Sequence, residues 1–188
     1  MPGPHDKIIA ESAKSALGPL GFQRKGRSRT WLADHGWWLT VVEFQPSAWS
    51  KGSFLNVAAH WLWSEMDCIS FDFGGRVQEH VEYLSEVQFA PAAASLAEKA
   101  FLEAQRLAEM ITSLKAASDI LLNEERTARY GGGGWMAYNA GVAAALVGRR
   151  DPATEMFNRV LNGPAPADSL VHTTAKRMAA LATDPVRL

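Results

Sequence analysis

The residues able to do chemistry are few and scattered. The five histidines (His5, His35, His60, His80 and His172) include no pair at metal-ligand spacing on one helix. The single cysteine, Cys68, excludes an internal disulfide and a cysteine-based zinc framework. It has no basic sequence neighbour to lower its pKa, so it reads as a core thiol. His60 falls mid-strand near Asn56. A concave sheet face lined by Trp37, Gln45, Asn56 and His60 would have the make-up of a ligand site, apolar surface with a few convergent polar groups. A structural histidine hydrogen-bonded beneath helices is the favoured alternative. Arg24, Lys25, Arg27 and Arg29 form the densest charge cluster and would suit a phosphate or an acidic partner, against a favoured reading as a solvated hairpin face. The four glycines at 131–134 lack the Lys-Ser/Thr of a phosphate loop and the dinucleotide pattern, so they read as a connector, with Arg129 just before them. No nucleophile elbow, kinase signature or metalloprotease helix occurs. These residues call for no catalytic set, no metal and no cofactor.

The elements that must position them are more legible. Six of the seven tryptophans (Trp31, Trp37, Trp38, Trp49, Trp61 and Trp63) lie between positions 31 and 63. At roughly 150–250 Å² each, they must fill a core, line a site, or both. The spacing predicts a first helix over Pro4–Leu17, with Ile9, Ala13, Ala16, Leu17 and Leu20 on one stripe and Gly18-Pro19 as its stop. Strands are expected at Phe22–Lys25, Arg29–Ala33, Trp37–Gln45, Phe54–Trp63 and Cys68–Phe73, with a hairpin turn at Asp34-His35-Gly36. In the last strand Ile69, Phe71 and Phe73 should point in, Ser70 and Asp72 out, and Gly74-Gly75 should end it. Trp49 falls in the polar loop between the third and fourth strands.

Residues 78–89 are ambiguous, and Pro91 reads as a boundary. Ser95 with Glu98 has the capping-box pattern. Ala100, Ala104, Leu107, Ile111, Leu114, Ser118 and Leu121 then mark one long helix, or two broken near Ser118-Asp119, with Lys99 and Glu103 paired on its surface. Three short helices should follow, near 135–147, 153–161 and 167–181. The expected class is α+β: an antiparallel sheet of about four to five strands, packed by an N-terminal helix and a long central helix, with a C-terminal helical hairpin. Residues 1–130 would form the α+β domain, 131–134 a linker, and 135–188 a helical extension packed on the domain.

Gly21-Phe22-Gln23-Arg24-Lys25-Gly26, then Thr30-Trp31, Phe44-Gln45 and Phe54-Leu55-Asn56-Val57, resemble the bacterial family called domain of unknown function 4304, over about residues 17–63. That resemblance implies a bacterial cytosolic α+β domain and brings no activity or catalytic residue. Gly141, Gly148, Ala153, Phe157 and Leu161 resemble the small and large positions of a tetratricopeptide helix pair, over about residues 135–166, although Ala140 and Ala144 stand where larger residues are usual.

With 19 basic and 20 acidic side chains the net charge is -1, so no global field favours nucleic acid or an anionic membrane. No apolar run reaches the ~20 residues of a membrane span, and the single cysteine fits a reducing cytoplasm. The leading expectation is a non-enzymatic module that binds a protein or peptide, of adaptor or immunity type. The alternatives are an enzyme or nucleotide-binding protein with a cleft between sheet and C-terminal helices, with Gln45, Asn56, His60 and Arg129 as first suspects, and single-stranded nucleic-acid binding by Trp49 and the Arg24–Arg29 cluster. The sequence says nothing of oligomeric state.

Overall fold

The computed structural model describes residues 3–127 and 134–183. The chain forms two compact units, residues 1–109 and 110–188. The expected linker at 131–134 lies mostly outside the described residues.

The first unit runs α1 (Pro4–Leu17), a 3-10 turn (Gly18–Leu20), β1 (Gln23–Arg24), β2 (Thr30–Asp34), β3 (Trp38–Glu43), β4 (Gly52–Trp61), β5 (Phe73–Glu82) and α2 (Glu86–Met110). The strands form an antiparallel meander in the order β1-β2-β3-β4-β5. Register sets Trp31, Val42 and Val57 side by side, and Ala33, Thr40 and Ala59 likewise. With Trp38, Phe44, Leu55 and Trp61 they make one fully buried face, packed by α1 through Ile9, Ala13 and Leu17 and by α2 through Phe89, Ala93, Leu96 and Ala97. The other face carries Leu39, Val41, Glu43, Asn56, Ala58 and His60. Segment 62–72 crosses it, and Asp67, Cys68, Ile69 and Phe71 border a cleft of about 260 Å³ with Lys25, Thr30, Val41 and Glu43.

Several expectations are corrected. The fifth strand is Phe73–Glu82, not Cys68–Phe73. Gly74 and Gly75 open it rather than end the preceding one. At φ +100° Gly74 lies so close to β4 that a Cβ would stand 2.7 Å from the Val57 carbonyl oxygen. Register shifts opposite Ser53, Leu55 and Asn56 then scramble the two-residue period, which is why the strand was unreadable. Gly18 is right-handed, and the left-handed residue after the helix is Gly21. Pro91 and Ser95 lie inside α2, whose start is set by Ser85: its Oγ accepts the Gln88 N–H at 3.2 Å, and Gln88 Oε1 accepts the Leu84 N–H at 3.1 Å. Pro91 is tolerated because the carbonyl it frees, that of Val87, belongs to an exposed first turn. The helix breaks before Ser113, not at Ser118-Asp119. Ser113 Oγ accepts the Ala116 N–H at 3.1 Å and so caps the next helix. Lys99 bonds Gln78, and Glu103 pairs with Arg106.

The second unit comprises α3 (Leu114–Thr127), α4 (Trp135–Leu146), α5 (Arg150–Leu161) and α6 (Leu170–Thr183). Pro152 sits in the first turn of α5, where its missing N–H costs nothing. Helix α4 is central: every residue from Ala137 to Ala145 is buried, and α3, α5 and α6 pack against it. Gly141 admits the Phe157 ring, which a Cβ would approach to 2.7 Å. Arg126–Glu155 at 3.0 Å and Arg159–Glu125 at 3.7 Å tie α3 to α5.

Gly74→Ala should lower stability by about 1–3 kcal/mol, since it adds a backbone clash to a disfavoured φ. Gly18→Ala, with no atom within 4 Å of the added carbon, should be neutral or stabilising. Urea midpoints of the two variants check this.

Candidate functional site

The most catalytic-looking cluster is His60, Ser70 and Asp72. β4 supplies His60, and segment 62–72 folds back to bring the other two. His60 Nδ1 lies 3.1 Å from Ser70 Oγ and 3.1 Å from Asp72 Oδ2. Ser70 Oγ donates to Asp72 Oδ1 at 2.7 Å, and the Trp61 N–H donates to Asp72 Oδ2 at 2.8 Å. A nucleophilic relay needs the two ring nitrogens to face opposite partners, acid on one and hydroxyl on the other. Here one nitrogen faces both, and the hydroxyl is already spent on the acid. The cluster is therefore a clasp that fastens segment 62–72 to the end of β4. Asp72, expected to point outward, has a side chain only 7% exposed, whereas Phe71, expected inside, is 42% exposed. Cys68, expected in the core, is exposed.

Gln45 and Asn56 do meet. Asn56 Nδ2 donates to Glu43 Oε2 at 2.9 Å and to Gln45 Oε1 at 3.0 Å, and Arg76 Nη2 donates to the same Gln45 oxygen at 2.8 Å. The Arg76 guanidinium also stands 4.1 Å from the Phe54 ring centroid. Sequence pattern does not reveal Glu43 and Arg76 as members of this group, because it does not show which residues face each other across strands. His60 bonds into the clasp instead. Trp37 belongs to an aromatic stack, its ring 5.9 Å from both Trp61 and Trp63.

Trp31, Trp38 and Trp61 are core residues. Trp61 Nε1 is buried without a hydrogen-bond partner, a cost of about 1–3 kcal/mol. Burying the indole is worth about 4–6 kcal/mol by area, so packing wins. Trp49 is the opposite case at 96% exposed. Its loop is held by Ser47 Oγ, which accepts the Trp49 N–H at 3.1 Å and the Ser50 N–H at 3.4 Å. The Tyr83 N–H donates to the Lys51 carbonyl at 3.0 Å, so the chain leaving β5 runs beside the Trp49 loop. That chain carries Leu84 at 72% and Val87 at 87% exposed. Trp49, Leu84 and Val87 are thus three exposed apolar side chains borne by segments that meet at this end of the sheet.

The four-cation cluster is partly consumed internally. Arg29 Nε donates to Asp6 Oδ1 at 2.7 Å and Nη1 to the Gly52 carbonyl at 2.9 Å, tying α1 to the sheet. Arg24 Nε and Nη2 bond the Ser28 and Arg27 carbonyls of their own turn, at 2.6 and 3.2 Å. Arg27 is exposed, and Arg129 lies outside the described residues. Among the described residues no group of three His, Cys, Asp or Glu could hold a metal ion.

Burial opposes the Asp6 charge, but the hydrogen bonds from Arg29 and the Gly3 N–H and the Arg29 charge outweigh it, holding the carboxyl below its usual range. Burial lowers the pKa of His5, although Asp6 pulls it up. Burial likewise lowers that of His35, which stacks on Trp38 with centroids 4.0 Å apart and meets Thr40 Oγ1 at 2.8 Å. A histidine with a depressed folded pKa binds its proton more readily when unfolded. Its stabilising effect is complete above ~6.5 and is lost as pH falls through the folded value. Urea stability should therefore decline from pH 8 to pH 5, and less so in His35→Gln. Asp72→Ala, which strands three polar partners, should cost about 2–4 kcal/mol in the same assay.

No family model, curated protein or solved structure matches the chain.

Proposed function

We propose that the protein is a non-enzymatic binding module that recognises a protein or peptide through the apolar corner formed by Trp49, Leu84 and Val87. The observation that carries this reading is the 96% exposure of Trp49 on a hydrogen-bonded loop, with Leu84 and Val87 also exposed on the chain that bonds the same loop at Lys51. Large aromatics are the commonest source of binding energy at protein interfaces, because one rigid side chain buries much area for little lost entropy. The wiring of His60, Ser70 and Asp72 argues against a hydrolytic alternative. The commitment of Arg29 to Asp6 and the Gly52 carbonyl weakens the nucleic-acid alternative, since Trp49 would need free cations beside it. Its one thiol, Cys68, suits a reducing cytoplasm. Among the described residues no helix is long and apolar enough to cross a membrane.

Proteins retained by the full chain from its native cell extract, identified by mass spectrometry, should be lost with Trp49→Ser. The affinity for the purified partner should fall about 10–100-fold, equivalent to about 1.4–2.8 kcal/mol, with thermal stability unchanged. Retention of the same partners by Trp49→Ser and Leu84→Ser alike would exclude this corner.

A further inference from the structure

A second feature stands apart from that corner. Where α1 passes over the first two strands, the fold leaves a cleft of about 440 Å³. Ala10, Gly18, Phe22 and Trp31 give it an apolar floor, and Phe22 and Trp31 are only 7% and 5% exposed, so the floor is set by the core itself. Its rim is charged: Lys14 and Glu11 from α1, and Arg24 from β1. The Arg24 guanidinium is fixed in place by its bonds to the Ser28 and Arg27 carbonyls. Lys14, one turn past Glu11 on an exposed stretch of helix, faces no ion-pair partner among the described residues.

We propose that this cleft binds a small amphipathic monocarboxylate, its aromatic or medium-length aliphatic part lying on Phe22 and Trp31 and its carboxylate held between Lys14 and Arg24. The volume is that of a small-molecule pocket, and apolar walls with a few placed polar groups are the usual construction of one. Charge complementarity sets the head group. Two cations favour an anion, while Glu11 on the same rim reduces the net charge to about +1 and disfavours a dianion such as a phosphate monoester. With Nε and Nη2 donating to the turn, Arg24 keeps its Nη1 hydrogens for the carboxylate, and a guanidinium held rigidly loses less side-chain freedom on binding. The cation from α1 is invisible in the basic run at 24–29, since only the fold brings Lys14 to it.

The test is calorimetric titration of the full chain with 2-naphthoate and with decanoate below its micelle concentration. The controls are 2-naphthamide, which keeps the ring and loses the charge, and inorganic phosphate. Both carboxylates should saturate one site, and the amide should bind at least tenfold more weakly. Lys14→Glu should weaken naphthoate about tenfold, and Glu11→Gln should tighten it severalfold. Ala10→Trp should fill the cleft and abolish binding with both cations in place. Because that variant alters a half-buried position, its melting curve is compared with wild type, and the exposed Lys14→Glu change supplies the independent reading. Absence of saturable binding by either carboxylate would overturn the proposal. Equal naphthoate affinity in wild type and Lys14→Glu, or full competition by phosphate, would do the same. None of these outcomes depends on Trp49, so the site stands or falls separately from the apolar corner.

Discussion

β4 is buried along both faces, with only Phe54 among its ten residues partly exposed, and that requirement organises the first unit. One face is apolar but for Ser53 and the neighbouring Thr40, whose hydroxyls are bonded within the chain, so two helices cover it mainly by area burial at about 25 cal/mol per Å². The other presents Asn56 and His60 among Val41 and Ala58. Covering such a face demands partners for its polar groups, because each one left unpaired costs about 1–3 kcal/mol. The chain solves this with segment 62–72, which has no regular structure of its own and is secured by side chains. Asp72 satisfies the Trp61 N–H, the Ser70 hydroxyl and His60 together. The residues that most resemble an active site are thus the means by which an irregular segment becomes a wall.

That requirement also disposes of most of the tryptophans. Trp31, Trp38 and Trp61 fill the covered face, and Trp37 and Trp63 stack against Trp61 at its end. Trp49 stands at the opposite end of β4, before Gly52, where the sheet needs no more cover. A side chain of that size held outside the core gains nothing from folding. The same holds for Leu84 and Val87, which lie on the turn and first helical residues after β5. The capping hydrogen bonds of Ser85 and Gln88 fix their backbone and leave their side chains outward.

How far the sequence exposes this plan depends on the kind of signal. α1, the first hairpin and the apolar face of β3 and β4 were legible, because period and burial coincide there. The mixed class and the antiparallel meander followed from them. β5 was not legible: its glycines look like terminators, and its bulges break the alternation that would have shown a strand. Pro91 concealed the start of α2 for a similar reason, since a helix breaker is harmless in an exposed first turn. At the candidate sites, Gln45 and Asn56 are legible because they share a strand-pair face, but Glu43 and Arg76 are not. Strict alternation places Asp72 outward only when it is extended through a segment that is not a strand. Trp49 was readable for the opposite reason, as a large aromatic in a loop of small polar residues has no periodic pattern to satisfy.

Charge is distributed by the same logic. With a net charge of -1 the chain has no long-range field to steer a partner. The basic run is divided by the fold into three uses. Arg29 is committed to Asp6 and the Gly52 carbonyl, joining the start of α1 to the sheet. Arg24 braces its own turn, and Arg27 remains at the surface. A cluster that appears as one feature in the sequence therefore has one member holding the unit together and another shaping the rim of a cleft. Removing Arg29 would leave the half-buried Asp6 carboxylate without its main counter-charge, a loss felt in stability before it could be felt in binding. Removing Arg24 would leave the sheet and α1 joined and alter the rim and the turn at 25–28. The two arginines are separated by five positions in sequence and by their work in the fold, and a binding experiment that treats them as one patch would confuse folding with recognition.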